Sequence, residues 1–169
     1  MAECAAIDFT NTFHHSLDDK GRLTLPGSVR TILDRSSRPD YLWLGWMPGE
    51  SCINLYPVET MAELNAEWSD PARFTSVEQH ASYLGLWKSQ LETVVPDKAG
   101  RILLPPAKRN LAGIGKDVVV VGCGNKVQIW EPESKKANDA AAALAYLEDR
   151  KAERAAGRDI DPARRLPRC

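Results

Sequence analysis

Cysteine, histidine and long apolar runs are all scarce in this chain of 169 residues. The four cysteines lie far apart and form no C-x-x-C pair, so we expect reduced thiols and neither a zinc knuckle nor a disulfide framework. No apolar run reaches the roughly 20 residues that a membrane span needs. Residues 1–9 also lack the pattern of a signal peptide. We therefore expect a cytoplasmic protein with no metal site and no membrane segment.

Three histidines leave little material for acid–base catalysis. His14 and His15 lie beside Ser16, but neighbouring residues of a strand point to opposite faces, which argues against a nucleophile and its base. Residues 122–124 (Gly-Cys-Gly) follow a valine-rich run, as some nucleotide-binding loops follow a strand. Because the loop fingerprint is incomplete and no helix follows, a hairpin turn is the favoured interpretation. We therefore expect no catalytic residues, no cofactor and no enzymatic activity.

A phrase with the frame Asp-x-x-Gly-Arg-apolar-x-Leu-Pro occurs twice, at residues 18–26 and 97–105. In each copy an arginine, Arg30 or Arg109, follows four residues after the proline. A duplicated core would keep only apolar positions, whereas this duplication keeps an acid, a glycine and an arginine in register. Glycine takes positive φ without steric cost, so each copy predicts a tight hairpin turn between two short strands.

The two phrases lie in longer units with one order of elements: strand, turn, strand, a helix that begins near the proline, and two further strands. These units span residues 9–58 and 92–133. The valine run at residues 118–121 predicts a strand that is buried on both faces. The fold class is therefore α+β, with two tandem β units that contain short helices.

A helical linker over residues 59–91 joins the units, with a break at Asp70-Pro71. Its second helix is expected to pack through an apolar stripe that begins at Val77 and ends at Leu91. Residues 134–169 predict an alanine-rich helix followed by a disordered end from Gly157 to Cys169.

Positive charge is concentrated in the repeated units, although the whole chain has a net charge of −1. Residues 14–38 hold five basic and three acidic side chains, a net charge of +2. Residues 97–116 hold five basic side chains, Lys108 among them, and one acidic side chain, a net charge of +4. Residues 59–95 hold two basic and six acidic side chains, a net charge of −4. Because a local field steers a polyanion, this distribution favours a nucleic-acid partner.

The charged turns have the residues that bind phosphate or a guanine edge. An arginine presents a planar fork of donors to either group, and an aspartate four residues earlier can hold that fork in one orientation. The alternative is that the aspartate and arginine only brace the turn. Two copies with basic neighbours favour binding. The candidate DNA-binding residues are Asp18, Lys20, Arg22, Asp97, Lys98 and Arg101.

From Phe9 to about Glu133 the chain resembles the MraZ family of bacterial transcriptional regulators. The resemblance rests on a specific set of residues: Phe9, His15-Ser16-Leu17-Asp18-Asp19-Lys20-Gly21-Arg22-Leu23, Pro26, Asp97, Gly100-Arg101-Ile102, Pro105, Arg109, Ala112-Gly113, Asp117-Val118-Val119 and Ile129-Trp130. It implies two domains of the AbrB-like, swapped-hairpin kind. It also places the family's paired Asp-x-x-x-Arg motifs on Asp18/Arg22 and Asp97/Arg101.

The resemblance further implies a partner and an assembly. The partner is double-stranded DNA with short G-rich direct repeats, near the promoter of the protein's own division and cell-wall gene cluster. The assembly is a ring-shaped homo-oligomer, commonly an octamer, which associates with the nucleoid. A different class of function stays open: a ring-forming protein-interaction scaffold whose turns are only structural and which has no specific DNA binding.

Overall fold

The computed structural model describes residues 7–38 and 40–157. The chain divides into two compact units, Met1–Pro132 and Glu133–Cys169. Within the described ranges, no helix combines the length and the apolar character that crossing a membrane requires.

The elements follow the predicted α+β order, which is confirmed in both repeats. The first repeat contains β1 Thr12–Ser16, β2 Arg22–Thr24, α1 Gly27–Leu33, β3 Leu42–Gly45 and β4 Cys52–Tyr56. The linker contains α2 Val58–Ser69, a 3-10 turn Pro71–Arg73 and α3 Val77–Ser89. The second repeat contains β5 Leu91–Val94, β6 Arg101–Leu103, α4 Pro106–Leu111, β7 Asp117–Cys123 and β8 Lys126–Trp130, and α5 Pro132–Ala155 follows.

The strands that flank each charged turn do not pair with each other, so the predicted local hairpins are wrong. Instead, β1 pairs with β7, β5 pairs with β3, and β2 pairs with β6, all antiparallel. One sheet of six strands results, in the order β1-β7-β8-β4-β3-β5, together with a two-stranded ribbon of β2 and β6. A three-residue strand buries too little by itself, whereas the ribbon places Leu23 directly opposite Ile102, and both side chains enter one shared core.

The exchange of strands is symmetric between the repeats. The register of the ribbon is centred on the pair Leu23 and Ile102. In the large sheet β4 pairs with β8, where Ile53 lies opposite Ile129. The first strand of each repeat therefore pairs with a strand of the other repeat: β1 with β7, and β5 with β3. The duplicated sequence folds as an intertwined pair, as the swapped-hairpin fold class implies.

The main hydrophobic core lies between the ribbon and the six-stranded sheet. Leu23, Ile102 and Leu104 are fully buried in it. On β7, Val118 and Val120 join this core, whereas Val119 belongs to a separate cluster with Cys52 and Trp130 on the other face. The prediction that the valine strand is buried on both faces is therefore confirmed for these three residues.

The linker helices form a third, aromatic cluster against the sheet. Trp68 of α2 stacks on Trp87 of α3, with ring centroids 5.5 Å apart and an angle of 9° between the planes. The predicted break is confirmed by the 3-10 turn, where the Asp70 side chain accepts from the backbone of Ala72. The predicted stripe is wrong at its first residue, because Val77 opens the first turn of α3, beyond the cluster, and is 74% exposed. Its last residue, Leu91, lies in β5 and not in the helix, but it packs against the cluster as predicted.

The second unit contains most of α5, a helix of 24 residues that extends well beyond the alanine-rich segment. The helix is followed by Gly157, whose φ of 71° is typical of a residue after a helix end. Residues 158–169 of the predicted disordered end lie outside the described residues.

Candidate nucleic-acid interface

The two charged turns have the same backbone geometry. In the first, the N–H of Asp18 donates to the carbonyl of Arg22 at 2.9 Å, and the N–H of Gly21 donates to the carbonyl of Asp18 at 2.8 Å. In the second, Asp97, Gly100 and Arg101 repeat both bonds at 2.8 Å. Gly21 and Gly100 have φ of 76° and 73°, which confirms that each turn depends on a left-handed glycine.

The aspartate of each turn binds the turn backbone with one oxygen and the arginine with the other. Asp18 Oδ1 accepts from the backbone N–H groups of Lys20 and Arg22, both at 2.9 Å, and Oδ2 accepts from Arg22 Nε at 2.7 Å. Asp97 Oδ1 accepts from the N–H groups two and four residues ahead, and Oδ2 accepts from Arg101 Nε at 2.8 Å. The predicted Asp–Arg contacts are therefore confirmed in both copies.

Both aspartate carboxyl groups have a pKa below the ordinary value, which favours their charged form. The pKa of Asp18 is lowered chiefly by the hydrogen bond from the backbone N–H of Arg22. The Arg101 side chain lowers the pKa of Asp97 to about 2, with help from the backbone N–H of the same residue. In return, the hydrogen bond that the Arg101 guanidinium donates to Asp97 raises the pKa of that guanidinium, and the charge of Asp18 adds to the rise. Both arginines are thus held by charged partners before any ligand binds.

The ribbon brings the two arginines onto one face. Arg22 lies opposite Leu103, and Thr24 lies opposite Arg101, so these four side chains share the outer face of the ribbon. Arg22 and Arg101 are diagonal neighbours, for which the spacing is about 7–8 Å. Their side chains keep 30% and 36% of their exposure. We define the outer face of the ribbon by these four residues: Arg22, Thr24, Arg101 and Leu103.

The lysines of the candidate set lie at the tips of the turns. Lys20 and Lys98 are both exposed, one in each turn. They are not at equivalent positions, because Lys20 corresponds to Ala99 and Lys98 corresponds to Asp19. All six candidate residues therefore lie on the ribbon or on the turns that lead into it.

Each turn packs against the arginine of the other repeat, which the sequence reasoning missed. A Cβ atom on Gly21 would lie 3.0 Å from Arg109 Nη2, and one on Gly100 would lie 2.5 Å from Arg30 Cδ. Arg109 is half-buried, and its Nε donates to the carbonyl of Leu104 at 3.1 Å, whereas Arg30 is exposed. The available signal was the arginine four residues after each proline, but nothing in the sequence says that its neighbour is the opposite turn.

Lys108 does not belong to the basic surface, so the charge counted for residues 97–116 overstates the field of the second turn. The side chain is buried, and its Nζ donates to both the backbone carbonyl and the Oε1 of Gln90, each at 2.9 Å. This Nζ lies at the C-terminal end of α3, where a cation is favourable, and 3.9 Å from Glu92 Oε1. The equivalent position of the first repeat is Val29, which is also buried.

Ser16 does not contact either neighbouring histidine as its partner. Its hydroxyl donates to Asp117 Oδ1 at 2.7 Å, across the pair of strands β1 and β7. Among residues 7–38 and 40–157, no group of three or more His, Cys, Asp or Glu side chains is placed to hold a metal ion.

Sequence comparison finds relatives of this chain among known proteins. The sequence model of the family described as "MraZ protein, putative antitoxin-like" matches residues 90–157. A protein named Transcriptional regulator MraZ from Kocuria rhizophila is 31% identical over 144 residues, which cover 85% of this chain and 90% of that protein. Proteins of the same name from Cutibacterium acnes and Dictyoglomus turgidum are 32% and 34% identical, over 73% and 74% of this chain and 81% and 80% of their own lengths. At these identities and coverages, the chain belongs to the MraZ family.

Proposed function

We propose that this protein is a sequence-specific DNA-binding transcriptional regulator that acts at the nucleoid on the promoter of its own division and cell-wall gene cluster. The observation that supports the proposal most is the outer face of the ribbon, where two aspartate-held arginines project side by side. A structural brace alone needs neither two copies nor a shared exposed face. The names of the relatives support the regulatory role.

The proposed contacts follow from the chemistry of each group. The fork of Arg22 or Arg101 matches the O6 and N7 acceptors of guanine, and a two-stranded ribbon fits a major groove about 12 Å wide. Asp18 accepts from the Nε of Arg22, which leaves the terminal nitrogens of that fork to point toward a base. Asp97 Oδ2 lies 2.8 Å from both Nε and Nη2 of Arg101, so this second fork has fewer donors left for a base. Lys20 and Lys98 then bind phosphates beside the groove and fix the register without reading sequence.

We further propose that the chain assembles into a ring-shaped homo-oligomer, with the octamer as the expected size. Two units that each bind weakly gain affinity when a ring presents several of them to direct repeats. Exposed apolar side chains on α3, Tyr83 and Leu86 among them, are available for contacts between copies. Light scattering at micromolar concentration should give a mass well above that of a dimer. The division into units 9–58, 59–91, 92–133 and 134–169 is part of the same proposal.

The same exposed residues on α3 favour a second candidate function, a ring that holds another protein and does not bind specific DNA. Salt separates the two candidates. DNA binding through several phosphates weakens steeply as salt rises, whereas apolar protein contacts do not. A complex that persists unchanged from low to high salt would favour the scaffold.

The direct test is a mobility-shift assay on the DNA upstream of the protein's own gene. The wild-type protein should shift this fragment in preference to a scrambled fragment of the same length. Arg22→Ala should lose that preference while its fold and oligomer mass stay unchanged. Arg73→Ala is the matched control, because Arg73 is an exposed arginine that pairs with Glu67 on the linker. Equal shifts of both fragments by the wild-type protein would contradict the proposal.

A further inference from the structure

Leu103 is an exposed leucine on the surface that carries the two arginines. It lies directly opposite Arg22 in the ribbon, and 51% of its surface is exposed. The other face of the ribbon buries Leu23 and Ile102 completely, so the backbone that carries Leu103 is well anchored. An isolated exposed leucine needs no explanation by itself. Its place beside a held arginine does call for one.

The fold does not require an apolar residue at this position. The equivalent residue of the first repeat is Thr24, which lies opposite Arg101 and is also exposed. The two halves of the outer face therefore pair an arginine with different neighbours. One half has a large apolar group, and the other has a hydroxyl and a single methyl.

We propose that Leu103 contacts the 5-methyl group of a thymine in the major groove, next to the guanine that Arg22 contacts. The inference rests on the proposed DNA-binding function. Side chains at directly opposite ribbon positions have Cβ atoms about 4.5–5.5 Å apart, and successive bases are about 3.4 Å apart. The pair Arg22 and Leu103 therefore matches two neighbouring base pairs. Thymine is the base that offers an apolar group in this groove.

The two halves of the outer face would then discriminate between DNA sequences to different degrees. Leu103 can cover a thymine methyl more completely than Thr24 can, because it has more apolar surface. Arg22 and Leu103 then specify a guanine with an adjacent A·T pair. Arg101 and Thr24 specify a guanine with a weaker preference at the neighbouring position.

The test uses duplexes that the full-length protein selects from a random DNA library at fixed salt. The selected duplex is made again with deoxyuridine in place of thymidine, one position at a time, which removes single methyl groups. The wild-type protein should bind about fourfold more weakly when the methyl next to the guanine is absent, as burial of one methyl group predicts. Leu103→Ser should bind both duplexes equally. Thr24→Ser, the matched control, should keep the fourfold difference.

The outcomes are distinguishable. If no sequence is enriched in the selection, the proposed function fails and this inference fails with it. If a sequence is enriched and Arg22→Ala loses it, but the wild-type protein ignores every uracil substitution, only the role of Leu103 is overturned. A selected site without an A·T pair next to guanine, or a Leu103→Ser protein that still distinguishes thymine from uracil, would also overturn it. Equal melting temperatures of the variants establish that each is folded.

Discussion

The two charged turns share their backbone and their Asp–Arg contacts but differ in their surroundings. The first turn has Lys20 at its tip and packs on Arg109, which is half-buried and hydrogen-bonded to the backbone. The second has Lys98 at a different place and packs on the exposed Arg30. The difference separates charge from geometry, because residues 97–116 have the higher net positive charge, whereas the first turn packs on the arginine that is anchored to the backbone.

Net charge alone would make the second turn the stronger DNA-binding turn. The structure weakens this expectation. One of the lysines that make the second repeat more basic is Lys108, which is buried and bonded to Gln90. Base reading depends on a placed fork of donors more than on the field around it. We therefore expect the first turn to be the principal reader, with the second as the weaker copy.

The largest effect on stability is expected at Lys108, where the repeats differ most in their interiors. Lys108→Met keeps the volume of the side chain but removes the two hydrogen bonds to Gln90. Hydrogen bonds to a charged group contribute about 1.5–3 kcal/mol, so the free energy of unfolding in urea should fall by about that amount. Lys98→Met, at an exposed site, should change it by less than about 0.5 kcal/mol. A more stable Lys108→Met protein would mean that burying the charge costs more than its hydrogen bonds return.

The next effect concerns the two glycines. Gly21→Ala and Gly100→Ala should each cost about 1–2 kcal/mol of stability, because alanine is strained at the positive φ of these turns. The two should differ in DNA binding. Arg30 is exposed and can move away from an added methyl group, whereas Arg109 is held by its bond to Leu104, so Gly21→Ala should harm specific binding more.

Gly115→Ala is the matched control for both glycine variants, since a Cβ at Gly115 meets no atom within 4 Å and its φ is not positive. Urea unfolding and titration with the selected duplex measure the two properties separately. Equal losses of specific binding for the two turn variants would remove the role assigned to Arg109.

The smallest effect is on the dependence of stability on pH. Asp97 has a pKa of about 2 in the folded protein, below its ordinary value near 3.8. A lowered pKa means that the carboxylate stabilises the fold above its ordinary pKa and that this contribution is lost as the pH falls from about 4 to about 2. Asp97→Asn should therefore differ most from the wild-type protein above pH 4, and the difference should shrink toward pH 2. A difference that grows as the pH falls would contradict the lowered pKa.

The sequence predicts the local features of the site better than its long-range partners. The turns, their glycines and the Asp–Arg contacts repeat at fixed spacing, and each depends on residues within four positions of one another. The pairing of β2 with β6 could not be read in the same way, because three-residue strands do not specify which other strand they join. The packing of Arg109 on Gly21 depends on that exchange of strands, so this contact could not be predicted from the sequence either.

The interior of the second repeat shows a different limit. Lys108 occupies a helical position where the first repeat has Val29, and a lysine in a short helix normally predicts an exposed charge. Its burial is explained by the nearby end of α3, where Gln90 accepts two hydrogen bonds, and by the carboxylate of Glu92, 3.9 Å from Nζ. Val77 is the opposite case: the apolar pattern predicts a buried residue, but the side chain is exposed. The spacing of apolar residues does not show that the aromatic cluster ends before the first turn of the helix.

The most direct test of the account titrates Arg22→Ala and Arg101→Ala against one selected duplex and one scrambled duplex at the same salt concentration. Each lost base contact should cost about 1–3 kcal/mol of specific binding. Arg22→Ala should lose more of the preference for the selected duplex than Arg101→Ala does, while both variants keep their fold and oligomer mass. A greater loss of discrimination in Arg101→Ala would contradict the assignment of the first turn as the principal reader.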